Sequence, residues 1–269
     1  MATANNPSSS PVEHLQEQVT RPRDQGKMGW VSPSYTVSRS VELVPEKVIE
    51  NRCVAFSGQV PEMEAYRVLR TRIMRRIGTD GGNTIMVTSA IPGEGKTLTS
   101  INLAMTFARE FSQTVLLVDC DLRRQRIHQV LGYESEKGLA DFFIDAEPLP
   151  NLIVWPGIEK MTIISGGRTI AASSEFLGSQ GMKGLVEDMK NRYKDRYVIF
   201  DAPPILIGAD TMALAPLVDS IVVVVRAGHT SAKDLQSALG MLPKEKVVGM
   251  VLNRGVSSEQ DYYYIKYGG

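Results

Sequence analysis

Residues 84–97 read TIMVTSAIPGEGKT, and this stretch restricts the fold of the chain more than any other. An apolar run, Ile85-Met86-Val87, breaks into Pro92-Gly93-Glu94-Gly95, and Lys96-Thr97 follow at once. Residues 98–111 are apolar and compatible with a helix. Strand, glycine-rich loop, Lys-Thr and helix, in that order, form the context of a phosphate-binding loop. Glycines let the backbone approach a polyphosphate and turn N–H groups toward it, and the helix N-terminus adds partial positive charge. In this reading Lys96 reaches the β- and γ-phosphates and Thr97 holds Mg2+. As a loop lysine, Lys96 is expected to be exposed and to add little to packing. The pattern G-x-x-x-x-G-K-[ST] is met except at its first glycine, where Ala90 stands.

A chain of 269 residues has room for one of the larger α/β domains with tails. Lys plus Arg and Asp plus Glu number 30 each, so there is no bulk electrostatic case for nucleic acid. Cys53 and Cys120 are the only cysteines. They make neither a metal spacing nor a disulfide framework, which suits a reducing compartment. The apolar runs are far too short to span a bilayer, and residues 1–30 hold no signal-peptide core. The expectation is a cytosolic protein.

In chain order, residues 1–40 are polar and rich in Ser, Pro, Gln and Arg, and are expected to be a disordered tail. Residues 41–50 are compatible with a short ordered segment. Residues 61–77 have helical apolar spacing, with Pro61 in the first turn and a basic end at Arg72, Arg75 and Arg76. Glu64, Arg67 and Arg70 fall along one side of it, either as a solvated face or with a local Glu64–Arg67 pair. A second apolar strand, 114–118, ends in Asp119-Cys120-Asp121 and Leu122-Arg123-Arg124. Two carboxylates at a strand end form either an Asp-rich turn or a cation-assisted ligand site. Cys120, flanked by both, has little reason to become a thiolate. A short helix at 138–143, short strands at 152–155 and 161–164, and a helix over 173–193 with Ser179 as N-cap follow.

A third strand, 197–200, ends in Asp201-Ala202-Pro203-Pro204, where an acidic residue can serve Mg2+. The run 220–225, SIVVVV, is a fourth strand, residues 231–241 a helix, and 247–252 a fifth strand ending in Asn253-Arg254. His229, just beyond a strand end, reads as structural. Continuous apolar strands alternating with helices predict a doubly wound, mostly parallel sheet in a three-layer α/β/α, Rossmann-like P-loop NTPase fold. The end of the chain is unlike the rest. Tyr262, Tyr263, Tyr264 and Tyr267 are four of its nine tyrosines. They fit an aromatic docking strand or an accessible phospho-acceptor tail.

Together these residues resemble the bacterial tyrosine autokinases of polysaccharide synthesis and export. The resemblance covers residues 61–269. SAIPGEGKT resembles the family's Walker A element, VLLVDCDLR its second acidic Walker A′ element, and VIFDAPP its Walker B. Glu64-x-x-Arg67-x-x-Arg70 resembles the helix through which the family assembles rings, and YYYIKY its terminal tyrosine cluster. Partition and septum-positioning ATPases share the deviant Walker A, but carry a second lysine early in the loop, where this chain has Ile91. They supply the alternative reading, a nucleotide-controlled assembly ATPase without phosphotransfer.

The resemblance implies an ATP- and Mg2+-dependent protein-tyrosine kinase that phosphorylates its own tail in trans and regulates exopolysaccharide chain length. It implies that Pro92, Gly93, Glu94, Gly95, Lys96, Thr97 and Leu98 hold the phosphates, with Asn253 and Arg254 near the adenine. Thr97, Asp119 and Asp201 would serve the metal. Asp121 would be the base and Arg123 would stabilise transferred charge, while Glu64, Arg67 and Arg70 would join subunits into a ring. The implied partners are a separate transmembrane chain-length protein that activates the kinase, a tyrosine phosphatase, and further copies of the chain. The implied location is the inner face of the membrane, through that partner. The implied organisation is a tail (1–40), an oligomerisation segment (41–80), a kinase domain (81–255) and a tyrosine tail (256–269).

Overall fold

The computed structural model describes residues 38–57, 61–78 and 81–255. Eight strands form one sheet: β1 (Arg39–Ser40), β2 (Thr84–Ser89), β3 (Thr114–Asp119), β4 (Ile153–Trp155), β5 (Met161–Ile164), β6 (Arg196–Asp201), β7 (Ser220–Arg226) and β8 (Val247–Asn253). Their order across the sheet is β1-β4-β5-β3-β6-β2-β7-β8. Every neighbouring pair is parallel except β4 with β5. β2 and β3 are buried along their whole length, which is why they read as unbroken apolar runs rather than alternating ones.

Helices cover both faces, giving the three layers expected. On one face Ile101, Leu103 and Phe107 of helix Lys96–Ala108 pack on the sheet, and Ile73 and Ile77 of helix Pro61–Gly78 join the same core. On the other, Met182, Leu185 and Val186 of helix Gln180–Arg192 and Ala238 of helix Ala232–Gly240 do so. The helix expected over 173–193 divides at Gly178 into Ser173–Leu177 and Gln180–Arg192. Ser179 caps the second part, its hydroxyl accepting from Met182 N at 3.1 Å. The helix after the phosphate loop begins at Lys96 and ends at Ala108, short of Phe111, which is exposed.

One expectation at the N-terminal end needs correction. Arg39 and Ser40, placed in the disordered tail, pair in parallel with β4. Residues 41–57 do not stand apart from the sheet. They carry helices Pro45–Glu50 and Val54–Ser57, and Val48, Cys53, Ala55 and Phe56 belong to the main core. Buried Asn102 clamps them, accepting from Ala55 N at 2.9 Å and donating to Arg52 O at 3.2 Å. The tyrosines at 262–267 lie outside the described residues.

Candidate active site

The parallel order β3-β6-β2 brings three loops together at the carboxyl ends of these strands, where open α/β sheets place ligands. Asp119 and Asp201 are Cα partners across β3 and β6, and Asp201 is also opposite Val87 of β2. The loop leaving β2 wraps over them. Gly93 and Gly95 take positive φ, +82° and +96°, which turns the loop into helix Lys96–Ala108. Gly95 at the N-cap has no side chain to bond the first helical amides, so they remain available to an anion.

Glu94 does not point toward a ligand. Its side chain is fully buried, and its carboxylate accepts from Ile91 N at 2.8 Å, from Arg226 N at 3.4 Å and from the Thr230 hydroxyl. It ties the loop to the end of β7. Asn253 supports the loop from β8, its Nδ2 donating to Glu94 O at 2.7 Å. A Cβ at Gly95 would lie 2.1 Å from that same nitrogen. Asn253, which the resemblance sets near the adenine, here braces the backbone of the loop. Arg254 is exposed with φ of +57°.

Lys96 is not the exposed loop lysine expected from sequence. It is the first residue of its helix, its side chain is 11% exposed, and its ammonium lies 3.0 Å from Asp121 and 3.6 Å from Asp201. Three carboxylates converge there, and a single cation among them lowers the repulsion. Burial pulls the Lys96 ammonium pKa down, but Asp201, Asp121 and Asp119 outweigh it and hold the pKa above its usual range. Burial also raises the pKa of Asp119 and of Asp201; Asp201 raises Asp119 further, and Lys96 offsets part of both shifts.

The two strand-end aspartates are held differently. Asp119 Oδ1 accepts from Asp121 N at 3.1 Å, while Oδ2 accepts from Arg126 N at 3.1 Å and Ile127 N at 3.2 Å. Its carboxylate therefore also shapes the following loop. Asp201 Oδ1 accepts from the Ser100 hydroxyl at 3.1 Å, but Oδ2 is buried with no partner among the described residues. Asp121 receives Lys96 and the Arg124 amide, the latter at 3.1 Å. Cys120 is fully buried, and burial followed by the Asp119 charge raises its pKa well above the usual thiol range, so it stays a thiol.

Other expected residues are more dispersed. Arg123 is directed to Ser173, at 2.8 Å, and to Asp210, at 3.5 Å. Arg67 pairs with Glu64 at 3.0 Å, both well exposed. Arg70 is consumed within the chain, paired with Glu110 and donating to Thr106 O at 2.9 Å. Ser100 was missed, although its position four residues after Lys96 places both on one helix face. Thr230 was missed with no local signal, because only the fold brings it to Glu94.

The AAA domain family matches residues 82–246. The tyrosine-protein kinase YwqD of Bacillus subtilis is 32% identical over 204 residues, 75% of this chain and 85% of that protein. The tyrosine-protein kinase ptk of Acinetobacter johnsonii is 30% identical over 71% of this chain, but only 26% of that longer protein is covered. Among solved structures, the kinase domain of the Escherichia coli tyrosine kinase ETK superposes with a TM-score of 0.65. It is 28% identical, and the match covers 73% of this chain and 78% of that one. A septum site-determining protein from Pyrococcus horikoshii shares the fold alone, at 19% identity, a TM-score of 0.52, and coverage of 68% of this chain and 76% of that one.

Proposed function

The chain belongs to the bacterial tyrosine-protein kinases, and on that premise we propose that it transfers the γ-phosphoryl group of ATP to its own tyrosines Tyr262, Tyr263, Tyr264 and Tyr267. The observation that carries the proposal is the position of Lys96, between the phosphate loop and the pair Asp121–Asp201. With ATP on the loop, a lysine can move its three donors from carboxylates to phosphate oxygens. That exchange frees Asp121 to act as a base. A tyrosine hydroxyl, of ordinary pKa about 10, needs a proton acceptor at neutral pH. The phenolic oxygen bonds to the γ-phosphorus, the bond to the β,γ-bridging oxygen breaks, the phenolic proton passes to Asp121, and ADP leaves.

The residues present fit Mg2+. Among the described residues no three-ligand cluster of His, Cys, Asp or Glu is preformed, which suits an ion that arrives with nucleotide phosphates and takes few protein oxygens. The unpartnered Asp201 Oδ2 and the Thr97 hydroxyl, 3.4 Å from Lys96 Nζ, would hold it, with Asp119 completing the set. When bound, it neutralises charge on the phosphates. Gly93, Gly95 and the free amides of helix Lys96–Ala108 bind and orient the same phosphates.

Regulation of exopolysaccharide chain length, a separate membrane activator, an opposing phosphatase and a ring of copies belong to this proposal. No helix among the described residues is long and apolar enough to cross a membrane. The test mixes a Lys96→Met chain with one whose four tail tyrosines are Phe, in Mg·ATP. Phosphotyrosine on the first chain is expected. Labelling absent from the mixture but present in the wild type, at a rate independent of concentration, would remove transfer between chains.

A further inference from the structure

A concavity is lined by residues that follow Asp121 directly in the chain, Arg123, Arg124 and Gln125, and the phosphotransfer geometry makes no use of it. Its volume is about 270 Å³, and its wall includes Arg123, Arg124, Gln125, His128, Ser135 and Gly167, with no carboxylate lining it among the described residues. Three polar atoms of these side chains are buried without a partner: Gln125 Nε2, His128 Nδ1 and Ser135 Oγ. Gln125 is only 7% exposed. Its stem is close against Gly166, where an added Cβ would approach its Cγ and Cδ to 2.5 Å, so Gly166 leaves room for the amide in this position.

Buried donors without acceptors cost about 1–3 kcal/mol each, and such groups are ordinarily met by ordered water or a bound group. Here the donors stand beside two arginines. Arg123 is half-exposed and is occupied by Ser173 and Asp210. Arg124 makes no ion pair among the described residues and is exposed at the mouth. Donors, cations and the absence of lining carboxylates select an anion. The volume lies below the roughly 300–1,000 Å³ of ordinary small-molecule sites, so it suits a single compact group rather than a nucleotide.

We propose that this pocket binds a phosphoryl dianion, carried either by a phosphotyrosine side chain or by free inorganic phosphate. Arg124 supplies the guanidinium, whose planar fork matches phosphate oxygens. Gln125, Ser135 and His128 belong to the same wall, and their unpartnered Nε2, Oγ and Nδ1 would be its further donors, His128 in the appropriate tautomer. The pocket shares its backbone with the acid cluster. Arg124 N bonds Asp121, and Arg126 N and Ile127 N bond Asp119. Only the phosphotyrosine source rests on the kinase reading, as the place where a product side chain is retained next to the loop that formed it.

The test is calorimetric titration of the full, phosphatase-treated chain, held in saturating Mg·ADP so that the phosphate loop is occupied. The probes are phosphotyrosine amide, inorganic phosphate and tyrosine amide. The site predicts saturable one-to-one binding of a phosphorylated probe, weakened about tenfold or more by Arg124→Ala and by Gln125→Leu, with ADP affinity unchanged. Tighter binding of phosphotyrosine amide than of phosphate identifies the side chain as the source; the reverse order identifies free phosphate. If Gln125→Leu does not fold, Gln125→Glu keeps the shape, sets a carboxylate against the anion and should abolish binding. No binding, equal binding of tyrosine amide, or binding unaffected by both variants would overturn the site. A chain that binds phosphate here but never labels its tyrosines would leave the pocket standing and remove the kinase reading.

Discussion

Lys96 Nζ lies 3.0 Å from the Asp121 carboxylate, at the centre of three buried acids, so in the nucleotide-free chain the phosphate-loop lysine is a structural counterion. Breaking one side of a buried ion pair costs about 3–5 kcal/mol, less whatever proton uptake recovers. Lys96→Met should therefore melt earlier than the wild type at pH 7 without nucleotide, in addition to losing activity. The pH dependence has a definite sign. Burial first, and Asp201 second, raise the Asp119 pKa to about 7. That lies above the ordinary value of about 3.9, so the folded chain binds more protons than the unfolded one. The resulting penalty is absent below about pH 4 and grows as pH rises toward about 7. The deficit of Lys96→Met should shrink on acidification, since protonated acids no longer need the lysine. Thermal melts between pH 4 and 7.5 check this; equal stability of the two chains at pH 7 would refute it.

The two strand-end acids should respond differently to the same substitution. Asp119 accepts three backbone N–H groups through both oxygens, and an Asn amide would turn a donor against at least one of them. Asp119→Asn should lose activity and also about 1–3 kcal/mol of stability. Asp201 Oδ2 has no donor to lose. Asp201→Asn should lose most activity and its Mg2+ dependence with a much smaller change in melting. The paired measurements are chemical denaturation and a phosphotyrosine assay across Mg2+ concentrations. Equal destabilisation of the two variants would contradict the assignment.

Glu94 and Asn253 hold the phosphate loop from outside it. Glu94→Ala strips acceptors from Ile91 N, Arg226 N and Thr230, an expected cost of about 1–3 kcal/mol, and should weaken ATP binding at least several-fold. Asn253→Ala should raise the KM for ATP with a smaller effect on folding, because it removes one bond to Glu94 O. Gly95→Ala should be worse than either, since its φ is +96° and its Cβ meets the Asn253 amide. In the double variant Gly95→Ala with Asn253→Gly the clash is gone and the φ strain remains, so recovery should be partial. Nucleotide titration by fluorescence separates these cases; full recovery would show that φ strain is negligible.

The central strands were legible because strands buried on both faces leave continuous apolar runs, and the acid ends of β3 and β6 followed from the same runs. What was not legible depends on distant partners. Lys96 could not be read as buried, because Asp121 and Asp201 reach it only after β3 and β6 pair. Glu94 read as a ligand-facing loop acid, because Thr230 and Arg226 come from the end of β7. Arg39 and Ser40 carry no strand pattern, and the edge of β4 orders them. Gln125 and Ser135 have no motif at all; a pocket defined by unpaired donors exists only in three dimensions.

Arg67 and Arg70 shared one sequence argument, and the structure gives them different roles. Arg70 pairs with Glu110 and bonds Thr106 O, with a side chain only 15% exposed. Its truncation removes interactions between helix Pro61–Gly78 and the end of helix Lys96–Ala108. A loss of about 2 kcal/mol corresponds to roughly 4–8 °C in a domain of this size. Arg67 and Glu64 form an exposed pair worth well under about 1 kcal/mol, so either can exchange its partner for one on another copy. Arg67→Ala should leave melting unchanged. If this helix joins copies into a ring, it should still shift the light-scattering mass downward and slow tail labelling. Arg70→Ala lowers both stability and assembly and so cannot by itself report on the interface. Glu64→Arg with Arg67→Glu, which reverses the exposed pair while keeping it, is the informative control. Mixed with wild-type chains, it should assemble poorly, because like charges then face each other across the contact. Unchanged mass in Arg67→Ala and in that mixture would remove this helix from the assembly.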